Sequence, residues 1–388
     1  MIKAVSDDDR FGTAYAGEIE FPSLGDDVSV RTLLGEALFG PIPAAPDRIK
    51  VSRNPISGET AERLSIEIQV ADRRLTVDAA LWLPPEPDGP APLICGLDFV
   101  GPLGLMTSRE FPIDPNARIS TRAEFGARDS KRMEETLRGV SAYRWPVDML
   151  RNAGFAVLVS CYGSWVPDDA DSWQTHGVYP LLKCQDDQPV GAISLWAWAI
   201  QRLLDAAAKC DEIDMSRVTV AGHSRLGKAA LWATANDQRI GTVFANQSGC
   251  GGSAPAAHCV GETFAQMEDR FPHWTIPASR AKRAETPFDQ HHLLSLIAPR
   301  RVYLAGAQDD VWSDPVGSFL MLKAASVFWQ PEDGQKWIWP PPRDHWQDCR
   351  PVRNGPLGCH IRPGGHDILP YDWRHFLDFM RNEPISKN

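Results

Sequence analysis

From about residue 93 onward, short uniformly apolar runs alternate with longer helical ones, and this limits the chain to few architectures. Leu93-Ile-Cys-Gly-Leu-Asp-Phe-Val reads as a buried strand, as do residues 155–160, 218–221, 242–245 and 302–305. Helical patterns lie between them at residues 147–152, 192–209, 227–236 and 319–328. A short strand at 360–362 and a helix at 373–380 close the series. A strand that is apolar at every position has no solvent face, so helices must cover it on both sides. Strand–helix alternation supplies that cover through crossover connections between parallel strands. The expected fold is therefore α/β, with a mostly parallel central sheet and helices on both faces. Ahead of it, residues 64–70 and 75–83 alternate apolar and polar positions, as a half-buried hairpin does. Residues 1–60 carry Pro and Gly breaks and read as an irregular segment wrapping one catalytic domain, 61–388. Residues 251–290 and 331–358 are long and irregular, and loops of that length usually rim a substrate cleft.

Within this frame one junction carries chemistry. Val218-Thr-Val-Ala runs into Gly222-His-Ser-Arg-Leu-Gly227, which opens a helix. A serine between a buried strand and a helix is the arrangement of a nucleophile elbow, where a sharp turn leaves Oγ exposed at the helix N-terminus. The N–H groups and dipole there favour the oxyanion formed during attack. The motif is imperfect, because Leu226 holds the second glycine position and Gly227 follows it. Arg225 offers its backbone N–H to the oxyanion, and its guanidinium is expected to reach that oxygen or a sugar hydroxyl. Lys228, four residues after Ser224, shares its helical face. Together these features predict the α/β-hydrolase fold.

The base must be a histidine late in the chain. His360 falls in a strand and His375 in a helix, whereas His366 sits in the loop Pro363-Gly-Gly-His-Asp-Ile. An acid is expected after strand 302–305, in Gly306-Ala-Gln-Asp-Asp-Val-Trp-Ser-Asp-Pro. Three aspartates compete there, and spacing does not choose between Asp309 and Asp310.

Composition removes several other functions. A net charge of −10 with no basic run argues against nucleic acid. No apolar run approaches the roughly 20 residues that span a bilayer. The eight cysteines form no Cys-x-x-Cys pair, so neither a metal site nor a cofactor is expected. The polar start lacks a secretory leader, so the chain as it stands reads as cytoplasmic, or as secreted or periplasmic if a leader has been removed. A monomer is expected. Fourteen tryptophans is many, and Trp165, Trp173, Trp274, Trp312, Trp337, Trp339 and Trp346 fall in loop-like stretches, where rings serve packing or stack on sugars.

Roughly residues 90–380 resemble the bacterial form of the glucuronoyl esterases, or 4-O-methyl-glucuronoyl methylesterases. The elbow, Gln247-Ser-Gly-Cys-Gly-Gly, Gly261-Glu-Thr, Phe271-Pro-His-Trp, Asp289-Gln-His-His-Leu-Leu and Ile297-Ala-Pro-Arg carry the resemblance, with Asp310-Val-Trp-Ser-Asp-Pro and Ile361-Arg-Pro-Gly-Gly-His-Asp. It implies a serine esterase acting on alkyl or aryl esters of glucuronic acid, as in lignin–xylan linkages. Ser224 would be the nucleophile, His366 the base and Arg225 the oxyanion arginine, with Lys228, Glu262 and Trp312 binding the sugar. Many members place their acid just before Ser-Gly-x-Gly-Gly, where this chain has Gln247. The alternative acid position then falls on Asp310. Two other readings remain: an acetyl-sugar or general carboxylesterase with the same triad, and a carbohydrate-binding relict.

Overall fold

A computed structural model describes residues 29–119, 131–182, 189–256, 260–285, 288–329, 336–340 and 349–381. Its centre is a 10-stranded sheet of order β1-β2-β3-β5-β4-β6-β7-β8-β10-β9. The strands are β1 (Arg48–Pro55), β2 (Ala61–Val70), β3 (Arg73–Trp82), β4 (Ala91–Asp98) and β5 (Ala156–Cys161). They continue with β6 (Ile213–His223), β7 (Ile240–Asn246), β8 (Arg301–Ala307), β9 (Val352–Asn354) and β10 (Leu357–Arg362). From β5 across to β10 every neighbour is parallel; β1, β2, β3 and the short β9 pair antiparallel at the edges.

The helices that cover this sheet or border its cleft are α1 (Val147–Asn152), α2 (Ala192–Ala207), α3 (Arg225–Asn236), α4 (Phe264–Arg270), α5 (Gln290–Ser295), α6 (Pro315–Ala325) and α7 (Pro370–Arg381). Successive strand residues point to opposite faces, and the two cores divide accordingly. Leu93, Cys95, Val220, Val243 and Leu304 pack against α2, α3, α5 and α6. Ile94, Val157, Phe244, Tyr303 and Ala305 pack against α1 and α7, with Trp145 set against Trp373 of α7. Continuous apolar strands are thus two-sided, as the pattern required.

Three expectations need correction. Residues 48–55 are not irregular: they pair with β2 as an edge strand, its sides alternating exposed and half-buried. Lys50, Arg53 and the closing Pro55 hid it, and such residues blunt a sheet edge against further pairing. Residues 251–290 contain α4 and a helix at Ser279–Glu285, and α5 begins at 290. Both α4 and α5 start on capping boxes, at Thr263 with Gln266 and at Asp289 with His292. Finally, α6 begins at Pro315 rather than residue 319. Asp314 accepts from the Gly317 N–H at 2.8 Å, and a proline suits the first helical turn.

Candidate active site

The parallel strands β6, β7, β8 and β10 end at one edge of the sheet, and the loops leaving those ends form a narrow cleft. Ser224 sits on the turn from β6 to α3, with φ 57° and ψ −127°. A side chain at positive φ costs about 1–3 kcal/mol and persists only where its surroundings fix it. Here the Ser224 N–H donates to Asn246 O at the end of β7, 2.9 Å away. The imperfect glycine spacing also finds its reason. A Cβ at Gly222 would lie 2.2 Å from Leu226 O, and one at Gly227 would lie 3.0 Å from Ser248 Cβ. The turn needs small residues at 222 and 227, while the Leu226 side chain points into the core, 1% exposed. As the first residue of α3, Arg225 has an N–H with no carbonyl acceptor inside the helix.

His366, on the loop after β10, lines the same cleft. Its Nδ1 lies 2.7 Å from Asp310 Oδ2, and Ser313 Oγ lies 3.2 Å from the same nitrogen. Nε2 has no partner among the described residues. With the proton on Nδ1 donated to the carboxylate, Nε2 presents a lone pair. The competing aspartates do other work. Asp309 is exposed, and its N–H donates to Gly364 O. Asp314 caps α6. Gln247, at the end of β7, donates from Nε2 to Gly365 O at 3.2 Å and does not bond the imidazole.

Arg225 stands differently from the sequence expectation. Its guanidinium is buried and ion-paired with Asp168 rather than free over the cleft. It lies 4.5 Å from the Trp274 ring centroid, 4.9 Å from Phe271 and 5.5 Å from Phe99. Its Nε is buried and has no acceptor among the described residues. Asp168 also accepts from Tyr162 Oη (2.8 Å), His273 Nε2 (2.9 Å) and Trp274 Nε1 (3.0 Å). Burial alone would raise that carboxyl, but Arg225, His273 and Trp274 together hold it well below the usual carboxylate range. Sequence reasoning missed Asp168, which lies in an acidic loop with nothing to mark it. His273 was visible only inside the Phe271-Pro-His-Trp match, and Trp274 there and among the loop tryptophans.

Lys228 is buried, and its Nζ donates to Ser248 O at 2.6 Å. Burial lowers its pKa, against the pull of nearby Glu262. The Glu262 N–H donates to Trp312 O at 2.9 Å. A Cβ at Gly261 would lie 2.1 Å from that same oxygen, so glycine there lets the two segments touch. Trp312 is 39% exposed and turns to the cleft; Trp274 is buried but lines it, whereas Trp165 is core. Trp173, Trp337 and Trp339 are partly buried packing residues. Trp346 lies outside the described residues. Cys95, Cys161 and Cys210 are free thiols; Cys184 and Cys259 lie outside the described residues. Among the described residues, no helix is long and apolar enough to cross a membrane.

A serine on a strand–helix turn, in a parallel sheet covered on both faces, defines the α/β-hydrolase class. The sequence family described as glucuronyl esterase of fungi matches residues 147–331. A carbohydrate esterase from an unknown prokaryotic organism is 30% identical over 338 residues, covering 83% of this chain and 75% of that protein. A solved glucuronoyl esterase from Solibacter usitatus is 32% identical, with TM-score 0.77 over 91% of this chain and 90% of its own. A 4-O-methyl-glucuronoyl methylesterase from Sodiomyces alcalophilus is 35% identical over 153 residues, 36% of this chain and 31% of that protein. The chain belongs to the glucuronoyl esterase family and is a carboxylic ester hydrolase.

Proposed function

We propose that this protein hydrolyses alkyl or aryl esters of glucuronic or 4-O-methyl-glucuronic acid through an acyl-enzyme on Ser224. The observation that carries this is one cleft lined by Ser224, His366, Lys228, Glu262 and Trp312, with Asp310 behind the imidazole. Lys228 and Glu262 suit vicinal hydroxyls, because charge-assisted hydrogen bonds from a cation and to a carboxylate fix both donor and acceptor oxygens. Trp312 offers a ring face to the sugar. Relatives named as glucuronoyl methylesterases support the same substrate.

In this mechanism His366 Nε2 takes the Ser224 proton as Oγ attacks the ester carbonyl. The imidazolium is stabilised by Asp310 at Nδ1 and then protonates the departing alcohol. The Arg225 N–H, with the guanidinium behind it, stabilises the oxyanion, and one such donor typically contributes about 3 kcal/mol. Water, activated by His366, then releases the uronate. Asp168 keeps the Arg225 guanidinium in place, since a buried cation needs a buried counter-charge. The steps use only these side chains.

Rates on benzyl glucuronate and on an acetylated sugar, for wild type and Ser224→Ala, test the proposal. Benzyl glucuronate should be cleaved faster, and Ser224→Ala should abolish turnover of both. Faster cleavage of the acetyl ester would replace the substrate reading with that of an acetyl-sugar esterase. Activity surviving Ser224→Ala would remove the mechanism. Binding of the sugar without turnover by wild type would make the protein a carbohydrate-binding relict.

A further inference from the structure

The loop that carries His366 is a poor platform on its own. It contains Gly364 and Gly365 in succession, with Gly364 at φ 96°, and glycine is the residue least constrained in the unfolded chain. One side chain ties the loop together. Arg362, the last residue of β10, is 2% exposed. Its Nη1 donates to Pro363 O at 3.0 Å, and its Nη2 donates to Gly365 O at 3.2 Å and Asp367 O at 2.6 Å. The carbonyls on both sides of His366 therefore rest on one guanidinium. Its Nε faces both oxygens of Asp372 at 3.1 Å.

Asp372 is fully buried and fixes that guanidinium in turn. It also accepts from His360 Nε2 at 2.8 Å and from the Leu369 N–H at 2.7 Å. Tyr303 Oη lies 2.9 Å from the other nitrogen of His360. Gly365 O receives a second donor from the opposite side, Gln247 Nε2. Two further contacts hold Asp367, from Arg144 Nη2 and Tyr143 Oη, each at 2.8 Å. None of these groups reaches the imidazole, but together they fix the backbone from which it projects.

We propose that Arg362, oriented by Asp372, is a positioning residue that holds His366 in line with Asp310 and Ser224. This rests on the proposed roles of Ser224, His366 and Asp310. A planar guanidinium is the one side chain that can serve several carbonyls and a carboxylate from a single buried position; lysine keeps the charge without the fork. A base that drifts by an ångström loses the near-attack geometry. It also loses part of its contact with Asp310, so its imidazolium becomes less stable.

The test is the rate at which a fluorophosphonate probe phosphonylates Ser224 across pH, in wild type and Arg362→Lys, with KM and kcat on benzyl glucuronate alongside. Phosphonylation displaces fluoride with Ser224 Oγ and needs the base, but not the uronate-binding groups. Arg362→Lys should label at least tenfold more slowly, with the acidic limb of the pH profile moved to lower pH. The loss on benzyl glucuronate should fall on kcat, with KM within threefold of wild type. A merely structural role would lower the melting temperature and leave that limb where it was. A folded Arg362→Lys that labels within tenfold of wild type, or keeps the wild-type limb, overturns the inference. If Arg362→Lys does not fold, Asp372→Asn decides by the same two criteria. Wild type that fails to label at Ser224 overturns the mechanism and this inference with it. Wild type that labels but spares benzyl glucuronate removes only the substrate reading, and Arg362 is then judged on labelling alone.

Discussion

Asp310, Asp309 and Gln247 show how much one hydrogen bond decides. All three occupy places where an acid serving His366 could stand, and only Asp310 meets Nδ1. An amide in its place would offer either a weaker acceptor or a donor, leaving the wrong tautomer and no counter-charge for the imidazolium. Asp310→Asn should therefore lower kcat by about 10³–10⁴-fold on a uronate ester. Asp309→Asn, which removes only an exposed carboxylate, should stay within about twofold. Gln247→Ala, which takes one of two donors from Gly365 O, should cost less than tenfold, about the value of a neutral hydrogen bond. Parallel steady-state measurements on the three variants check this order. A collapse of activity in Gln247→Ala with little effect of Asp310→Asn would move the acid.

Helix α3 carries the elbow, and its sequence tempts an incorrect repair. Replacing Leu226 by glycine would restore the common spacing of the motif. Yet the close approach occurs at Gly222 and Gly227, and Leu226 is a core residue. Leu226→Gly should destabilise the protein by about 4 kcal/mol, from the lost side chain and the poor helix propensity of glycine. Its kcat should not rise. Denaturant melts of the two proteins read the difference directly. The capping boxes of α4 and α5 belong to the same scale. They start short helices inside stretches with no apolar period, and α4 lies in the chain between Glu262 and Trp274, which both line the cleft.

For the molecule as a whole, two buried groups give pH signatures of the same sign in different windows. His292, on α5, has its pKa pushed down to about 4 by burial and then by neighbouring His291. Between that value and the ordinary histidine range the unfolded chain binds the proton and the native state does not. Stability therefore rises with pH across this window and falls as pH drops from about 6.5 toward 4. Asp168 acts in the same direction at lower pH. Its native carboxyl lies below the unfolded value, so its contribution is complete above the ordinary carboxylate range and is lost only as pH falls below it. Melting temperatures between pH 7 and pH 4.5 should decline, and His292→Asn should flatten part of that decline. An unchanged slope in His292→Asn would assign the acid sensitivity elsewhere.

Sequence by itself determined the parallel strands, the helices between them, the elbow serine and the loop histidine. Each depends on a local pattern: apolar runs with no polar face, a serine between strand and helix, a histidine among glycines. The edge strand β1 escaped because its charges and closing proline serve to block pairing, which is also what makes a strand unrecognisable. Spacing left Asp309 and Asp310 open and only the resemblance pointed to Asp310; the tertiary structure adds a 2.7 Å contact from it to His366, between loops 56 residues apart, which no local pattern encodes. It also found Asp168 beneath Arg225 and Arg362 beneath the His366 loop. Neither has a local signature, since a buried ion pair is defined by which two segments the fold brings together.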